Sequence, residues 1–288
     1  MSQAKKRLFI TGSGGFVGGA LAGAAGASEV RGISHTAPLA AALADARAGD
    51  VLVHAAWPDL PGAVLPASTS DGHAKKWLVF VDWSEALAAE AARLGLWVIG
   101  IGSGVERYAD DPRLVEPYRG YALRKQDLHH RLARICGARF TWLRLHFLFG
   151  PGERESRIVP AVIAACRNGS AFSSASPQRR RRWMHIADAA NLIVRFAQTP
   201  QPGTFDITGN ADLSFQTLFE LIERATGEKL RLAAHSQPAA DAALTEIAPE
   251  NMAPIVPSTI GDVDNLLARL TEYVHWLDTQ HAEGTKEG

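Results

Sequence analysis

Tyr121 and Lys125 stand four residues apart in a stretch, about Gly120 to Cys136, whose apolar spacing predicts a helix, so one helical face carries both. A phenol beside a fixed ammonium has a stabilised phenolate, and its pKa is drawn toward working pH. Such a pair can give or take a proton at a carbonyl or alcohol oxygen, and the ammonium can also hold a ribose. Ser103 closes the apolar run Trp97–Ser103 and offers a second hydrogen bond to the same oxygen, as an oxyanion hole does. Gly102 and Gly104 beside it permit close approach of a ligand. A Tyr-x-x-x-Lys pair is common by chance, and a surface pair is its usual outcome. Its weight here comes from the elements around it.

The first of these elements is a strand, turn and helix. Lys5, Lys6 and Arg7 lead into Leu8-Phe9-Ile10-Thr11, and Gly12-Ser13-Gly14-Gly15-Phe16-Val17-Gly18 follows, with Gly12, Gly15 and Gly18 at T-G-x-x-G-x-x-G spacing. In such a unit one glycine permits the tight turn, one lets the backbone approach a pyrophosphate, and one lets helix and strand pack closely. The predicted helix, Phe16 to about Ala25, presents free N–H groups and a positive dipole end to phosphates. Dinucleotide binding by Gly12, Gly14, Gly15, Phe16, Val17 and Gly18 is the expectation.

The remaining chain alternates strand and helix. Glu29 to Ser34 reads as a second strand, Pro38 to Ala48 as an alanine-rich helix, and Asp50 to Ala56 as a buried strand. Only one helix separates these two strands, so a strand–helix unit is shortened or absent, at the place that would flank the adenine. An acidic residue at the end of the second strand would bind a ribose 2′-hydroxyl. Ser34 and His35 stand there instead, which suits a 2′-phosphate and favours NADP(H) over NAD(H), unless both are ordinary turn residues. Trp57 to Gly72 reads as a loop past the carboxyl end of a strand, where ligands sit in open α/β sheets.

A helix from Trp77 to Leu94, capped by Gly95, and a strand from Ala138 to Leu145 complete a doubly wound parallel sheet. Past Gly150-Pro151-Gly152 the pattern changes: a helix Ile158–Arg167, a polar loop Asn168–Pro177 and a basic run Arg179–Arg182. A helix Ile186–Ala197, a strand Gly203–Gly209 and a Ser-capped helix Ser214–Thr226 come next. An irregular stretch Pro238–Pro257 and an amphipathic helix Val263–Leu277 follow, and the polar tail from Thr279 is expected to be mobile.

The 288 residues suffice for an α/β domain with a smaller lobe. The 30 basic and 30 acidic residues balance, so nothing recommends nucleic acid or a membrane surface as partner. No stretch approaches the ~18 apolar residues of a spanning helix, and there is no signal-peptide pattern at the start. Cys136 and Cys166 lack metal-ligand spacing and read as buried thiols, so no metal and a cytoplasmic location are expected.

Taken together, Thr11 to Gly18, Val53-His54-Ala55-Ala56, Ser103, and Tyr121 with Lys125 resemble the extended short-chain dehydrogenase/reductase family. Arg144 with Phe149-Gly150-Pro151-Gly152 resembles its strand and Tyr-Gly-Pro-Gly turn, and Arg181 to Asp188 its Arg-Asp-Phe-x-His-Val-x-Asp stretch, so that residues 7 to 230 are covered. The resemblance implies a Rossmann sheet over 1–155 with 184–210 returning to it. It further implies a small substrate lobe from 156–183 and 211–280, a tail 281–288, and a homodimer through the helices that hold Tyr121 and Trp77. It places Ser103, Tyr121 and Lys125 as catalytic residues, with Ala55 and Ala56 beside the cofactor. Trp57, Gly104, Phe147 and Arg181 are placed against a nucleoside-diphosphate sugar. Four consecutive arginines could equally form a solvated loop, while His185 and Asp188 are expected to fix the start of the next helix.

Departures narrow the chemistry. Phe147 stands where many relatives carry an asparagine that touches the substrate, and Phe149 where a tyrosine is usual. Gly104-Val105 replaces the acidic residues that dehydratases place after the catalytic hydroxyl. The expectation is a 4-keto-sugar reductase. The alternatives are an epimerase with tightly bound NAD and a non-catalytic dinucleotide sensor.

Overall fold

A computed structural model describes residues 6–26, 29–58, 71–114, 116, 118–174, 177–233 and 260–284. Most of the Trp57–Gly72 loop and all of the Pro238–Pro257 stretch lie outside the described residues. The chain divides into two units, residues 1–145 with 190–207 and residues 146–189 with 208–288.

The first unit holds a parallel sheet of six strands in the order β10-β5-β4-β3-β1-β2. These are β1 (Leu8–Thr11), β2 (Val30–Ile33), β3 (Val51–His54), β4 (Trp97–Ser103), β5 (Phe140–Leu145) and β10 (Gly203–Ile207). Its helices are α1 (Phe16–Ala24), α2 (Leu39–Ala42), α3 (Asp71–Arg93), α4 (Tyr118–Cys136) and the later part of α6 (Ile186–Gln198). β1 and β3 are buried along their whole length, which is why they read as unbroken apolar runs. β2 is the sheet edge, so the shortened strand–helix unit expected after it is indeed missing a strand.

The expected helix Pro38–Ala48 is one turn only, α2, and this is a correction. The polar residues that follow it are drawn elsewhere. Asp50 accepts hydrogen bonds from the Arg7 guanidinium at 2.8 and 3.0 Å and from the Arg7 and Arg47 backbone N–H groups at 3.1 and 2.9 Å. Asp45 pairs with Arg7 and with Arg31. Alanine propensity does not outweigh a largely buried, doubly hydrogen-bonded ion pair that closes the loop onto β1.

Two glycines of β4 make room for β5. A Cβ at Gly100 or Gly102 would collide with the indole of Trp142, which is fully buried. α4 packs on β4 and on the 3-10 turn Gly104–Tyr108 that follows it.

The second unit has its own apolar core. Phe149, Val159, Val162, Ile163, Trp183, Leu218, Ile222, Leu266, Leu270 and Tyr273 meet between α5 (Ile158–Asn168), α7 (Phe215–Thr226) and α8 (Val263–Gly284). Ser214 caps α7 by accepting the Thr217 N–H at 3.0 Å. Three small two-stranded sheets complete it: β6 (Leu148–Phe149) with β9 (Met184–His185), β7 (Ala171–Phe172) with β12 (Arg231–Leu232), and β8 (Arg180–Arg182) with β11 (Asp212–Ser214). One expectation is thereby corrected: the Asn168–Pro177 loop contains β7. Of the basic run, Arg180–Arg182 form a strand, held by the antiparallel ladder to β11 and the Arg180–Asp212 pair, and not the alternative, a solvated loop. The tail from Thr279 is helical as far as Gly284, because α8 continues without a breaker. Arg167 anchors this helix through the Val274 carbonyl and the Asp278 carboxylate. Among the described residues no helix is long and apolar enough to cross a membrane.

Candidate active site

The glycine turn is shaped for close approach. Gly12 has φ +68, and a Cβ there would stand 2.8 Å from the Ala56 Cα. A Cβ at Gly18 would overlap the Gly12 carbonyl, so α1 can lie against the turn only without a side chain at that position. No side chain caps α1 at Gly15, and Gly14 has open space around it. The first N–H groups of α1 thus suit the pyrophosphate of a dinucleotide. Ser34 and His35 follow β2, and the Ser34 hydroxyl meets Thr36 Oγ1 at 2.8 Å in an exposed turn.

Behind the turn lies a buried hydrogen-bond chain that sequence reading did not resolve. The Ala56 N–H donates to Thr11 Oγ1 at 3.0 Å, and Thr11 Oγ1 meets His54 Nδ1 at 2.8 Å. His54 Nε2 meets Ser84 Oγ at 3.0 Å, and that hydroxyl donates to the Phe80 carbonyl at 2.7 Å. Each hydroxyl proton is therefore assigned: Thr11 donates to Nδ1, and His54 carries its proton on Nε2. Burial, then the positive charge of Lys125, pushes the His54 pKa down to about 3, so the ring is neutral. This chain ties β1, β3 and α3 together and fixes the Ala55–Trp57 exit.

Tyr121 and Lys125 share one face of α4, as their spacing requires. The Lys125 ammonium lies 6.0 Å from the Tyr121 ring centre and 3.9 Å from that of Trp57, and Trp57 meets Tyr121 edge-on at 5.4 Å. Lys125 Nζ donates to the Ile101 carbonyl of β4 at 2.9 Å. Burial lowers its pKa to about 8 while the carboxylate of Glu106 raises it, so the group remains mostly an ammonium at neutral pH. Trp57 is packed further against Trp77 and Phe80.

Ser103 ends β4, and its backbone N–H donates to Glu106 Oε1 at 2.5 Å, one half of a Ser-x-x-Glu capping arrangement. Glu106 Oε2 accepts the Trp142 indole N–H at 2.8 Å and stands 3.8 Å from Arg144 Nε. Burial pushes the Glu106 pKa up, against the pull of these donors and cations. The Ser-x-x-Glu spacing was visible in the sequence; its burial was not.

Phe147 and Arg181 belong to the second unit, apart from the residues above in this division of the chain. Within it they meet: the Arg181 guanidinium lies 5.0 Å from the Phe147 ring centre, and Trp183 supports that ring edge-on at 5.5 Å. Phe147 has φ +26, a strained value for a side chain of this size, and is 38 % exposed. The Ala187 N–H donates to His185 Nδ1 at 3.3 Å at the start of α6, while Asp188 in its first turn holds Arg269 of α8 at 2.5 and 3.0 Å.

A family model described as NAD dependent epimerase/dehydratase family matches residues 8–208. The chain belongs to that family. A sequence comparison with curated proteins finds no match. Solved structures of epimerase/dehydratase type share the fold. UDP-N-acetylglucosamine 4-epimerase from Methanobrevibacter ruminantium M1, in complex with UDP-N-acetylmuramic acid, aligns with a TM-score of 0.71 at 18 % identity, over 96 % of this chain and 100 % of that one. UDP-glucuronic acid 4-epimerase from Bacillus cereus, with UDP-glucuronic acid and NAD, gives 0.68 at 17 % over 94 % and 99 %. RMD from Pseudomonas aeruginosa, complexed with NADPH, gives 0.63 at 17 % over 94 % and 99 %. The six-stranded parallel sheet of this epimerase/dehydratase family member is the Rossmann arrangement expected from its sequence.

Proposed function

We propose that the protein is an NAD(P)-dependent oxidoreductase of nucleoside-diphosphate sugars, acting as a 4-keto-sugar reductase. The observation that carries the reading is the buried Lys125 ammonium of α4, beside Tyr121 and bonded to the Ile101 carbonyl of the strand that ends at Ser103. When bound, the nicotinamide dinucleotide would supply hydride exchange at a sugar carbon. Gly12, Gly14, Gly15, Phe16, Val17 and Gly18 would hold its pyrophosphate, with Ala55 and Ala56 beside it. Ser34 and His35 would receive a 2′-phosphate, which favours NADP(H), since no carboxylate ends β2 to repel it.

The chain's own residues move the proton. Tyr121 donates its phenolic proton to the sugar oxygen, Ser103 hydrogen-bonds that oxygen, and the Lys125 charge stabilises the phenolate left behind. Glu106 cannot serve as the extra acid of a dehydratase, because its carboxylate is turned inward onto Ser103 and Trp142. The second unit serves as the substrate lobe, and Trp57 and Gly104 of the first unit are assigned as further substrate contacts. There Arg181 offers its donor fork to the diphosphate and Phe147 an apolar face. Exposed Leu78 and Val79 of α3 and Leu123 of α4 support a homodimer through those helices. The expected location is the cytoplasm.

A second reading, an epimerase that keeps NAD and returns the hydride, is favoured by the 4-epimerases among the similar structures. One assay separates them. The protein is incubated with NADPH or NADH and a panel of nucleotide-linked 4-keto sugars while the absorbance of the reduced cofactor is followed. Net cofactor oxidation supports the reductase. Interconversion of nucleotide hexoses, added in a parallel panel, without net oxidation supports the epimerase, and the absence of both outcomes overturns both readings.

A further inference from the structure

Glu106 is a buried carboxylate, 1 % exposed, whose two oxygens both accept N–H donors, from the Ser103 backbone and from the Trp142 indole. Its place is prepared by β4: a Cβ at Gly102 would collide with both Glu106 Oε1 and the indole. The strand that it holds is the one whose Ile101 carbonyl receives Lys125 Nζ. An ammonium buried between an aromatic ring and a strand needs a counterion. The groups around it are few. Among the described residues, His54 of β3 is neutral, Arg144 of β5 is itself a cation and Tyr121 lies on the same helix, whereas Glu106 brings negative charge to the same strand end, holding the Ser103 N–H two residues on from the Ile101 carbonyl that receives Lys125. From these positions we infer that Glu106 is a positioning residue, which fixes the Ser103 end of β4 and supplies the countercharge that keeps Lys125 protonated. The kinetic consequence rests on the function proposed above; the electrostatic one does not.

The test begins with the ligand-free protein carrying ¹³C at the lysine ε carbons. The chain has seven lysines, so the Lys125 resonance is assigned from its loss in K125M. In the unaltered protein it is expected to titrate near pH 8. In E106Q, which keeps the shape and removes the charge, the midpoint is expected to fall by about one pH unit or more, and in E106D to return most of the way. W142F loses one hydrogen bond to the carboxylate but no charge, and its midpoint should stay within about 0.3 unit of the unaltered value on the same reasoning. An unchanged midpoint in E106Q, or an equal shift in E106Q and W142F, overturns the inference.

A further measurement needs no variant at position 106 to fold. The Glu106 carboxyl carbon of the unaltered protein should register a step at the Lys125 midpoint, and its absence counts against the pairing. With a keto sugar and reduced cofactor, E106Q should lose about fivefold or more in kcat/KM at pH 8 and regain most of it at pH 6, where the lysine recovers its proton. A loss that is uniform with pH overturns the electrostatic role. If no sugar of this class is turned over by the unaltered protein, the proposed function fails, and the lysine titration decides the Glu106 inference by itself.

Discussion

At the scale of single residues, the proposed site sets a phenol beside a charge held out of water. Tyr121→Phe keeps the ring that packs on Trp57 and removes only the hydroxyl, so kcat is expected to fall by about 10²- to 10⁴-fold with dinucleotide affinity nearly intact. Steady-state kinetics and a binding titration check both halves. His54 makes a separate prediction. Its pKa in the fold, about 3, lies below the ordinary 6.5, so between those values the unfolded chain binds the extra proton. The stability that neutral His54 contributes is present above pH 6.5 and is lost as pH falls toward 3. His129 and His185, each held down to about 4 chiefly by burial, act with the same sign. In urea unfolding followed from pH 7 to 4, His54→Asn should flatten the decline by about one proton's worth of slope. A slope unchanged by the substitution would show that the ring is not neutral in the fold.

At the scale of elements, what could be read from the sequence depended on whether a rule is local. The strands β1, β3 and β4 were legible because a strand buried on both faces is an apolar run between turn residues. The α7 cap was legible because Ser214 acts on its own first turn. The early end of α2 was not, since it depends on Asp50 meeting Arg7, 43 residues away. Nor was the strand character of Arg180–Arg182, which needs Asp212–Ser214 as partner. In the proposed site, Ser103, Tyr121 and Lys125 are expected from spacing alone. The buried partners Glu106 and Trp142 are not, because a glutamate in a turn reads as solvated until the indole 36 residues on is seen against it. The Arg7–Asp50 pair gives this scale its prediction. Asp50→Ala removes the nearest acceptor of a largely buried guanidinium, which keeps Asp45 at 3.3 Å, and of two backbone donors, so unfolding free energy should drop by about 3 kcal/mol, measured by urea denaturation.

At the scale of the molecule, two apolar cores lie in two units, one between the sheet and its helices and one among α5, α7 and α8. Leu218→Ala, at a fully buried position of the second core, is expected to cost about 2–5 kcal/mol. Hydrogen exchange should show the loss in α7 and α8 while β4 and β5 keep their protection. Equal loss in both sets would mean that the units open as one.

The interlock of β4 and β5 also constrains how this chain can vary. Gly100 and Gly102 are hollows for one indole, and the indole in turn reaches Glu106. Single exchanges at these sites are blocked by collision, yet a smaller ring at 142 would free both hollows. In a library randomised at positions 100, 102 and 142, folded survivors should therefore fall into two classes, tryptophan with paired glycines or a small residue with alanines, and the mixed combinations should be depleted.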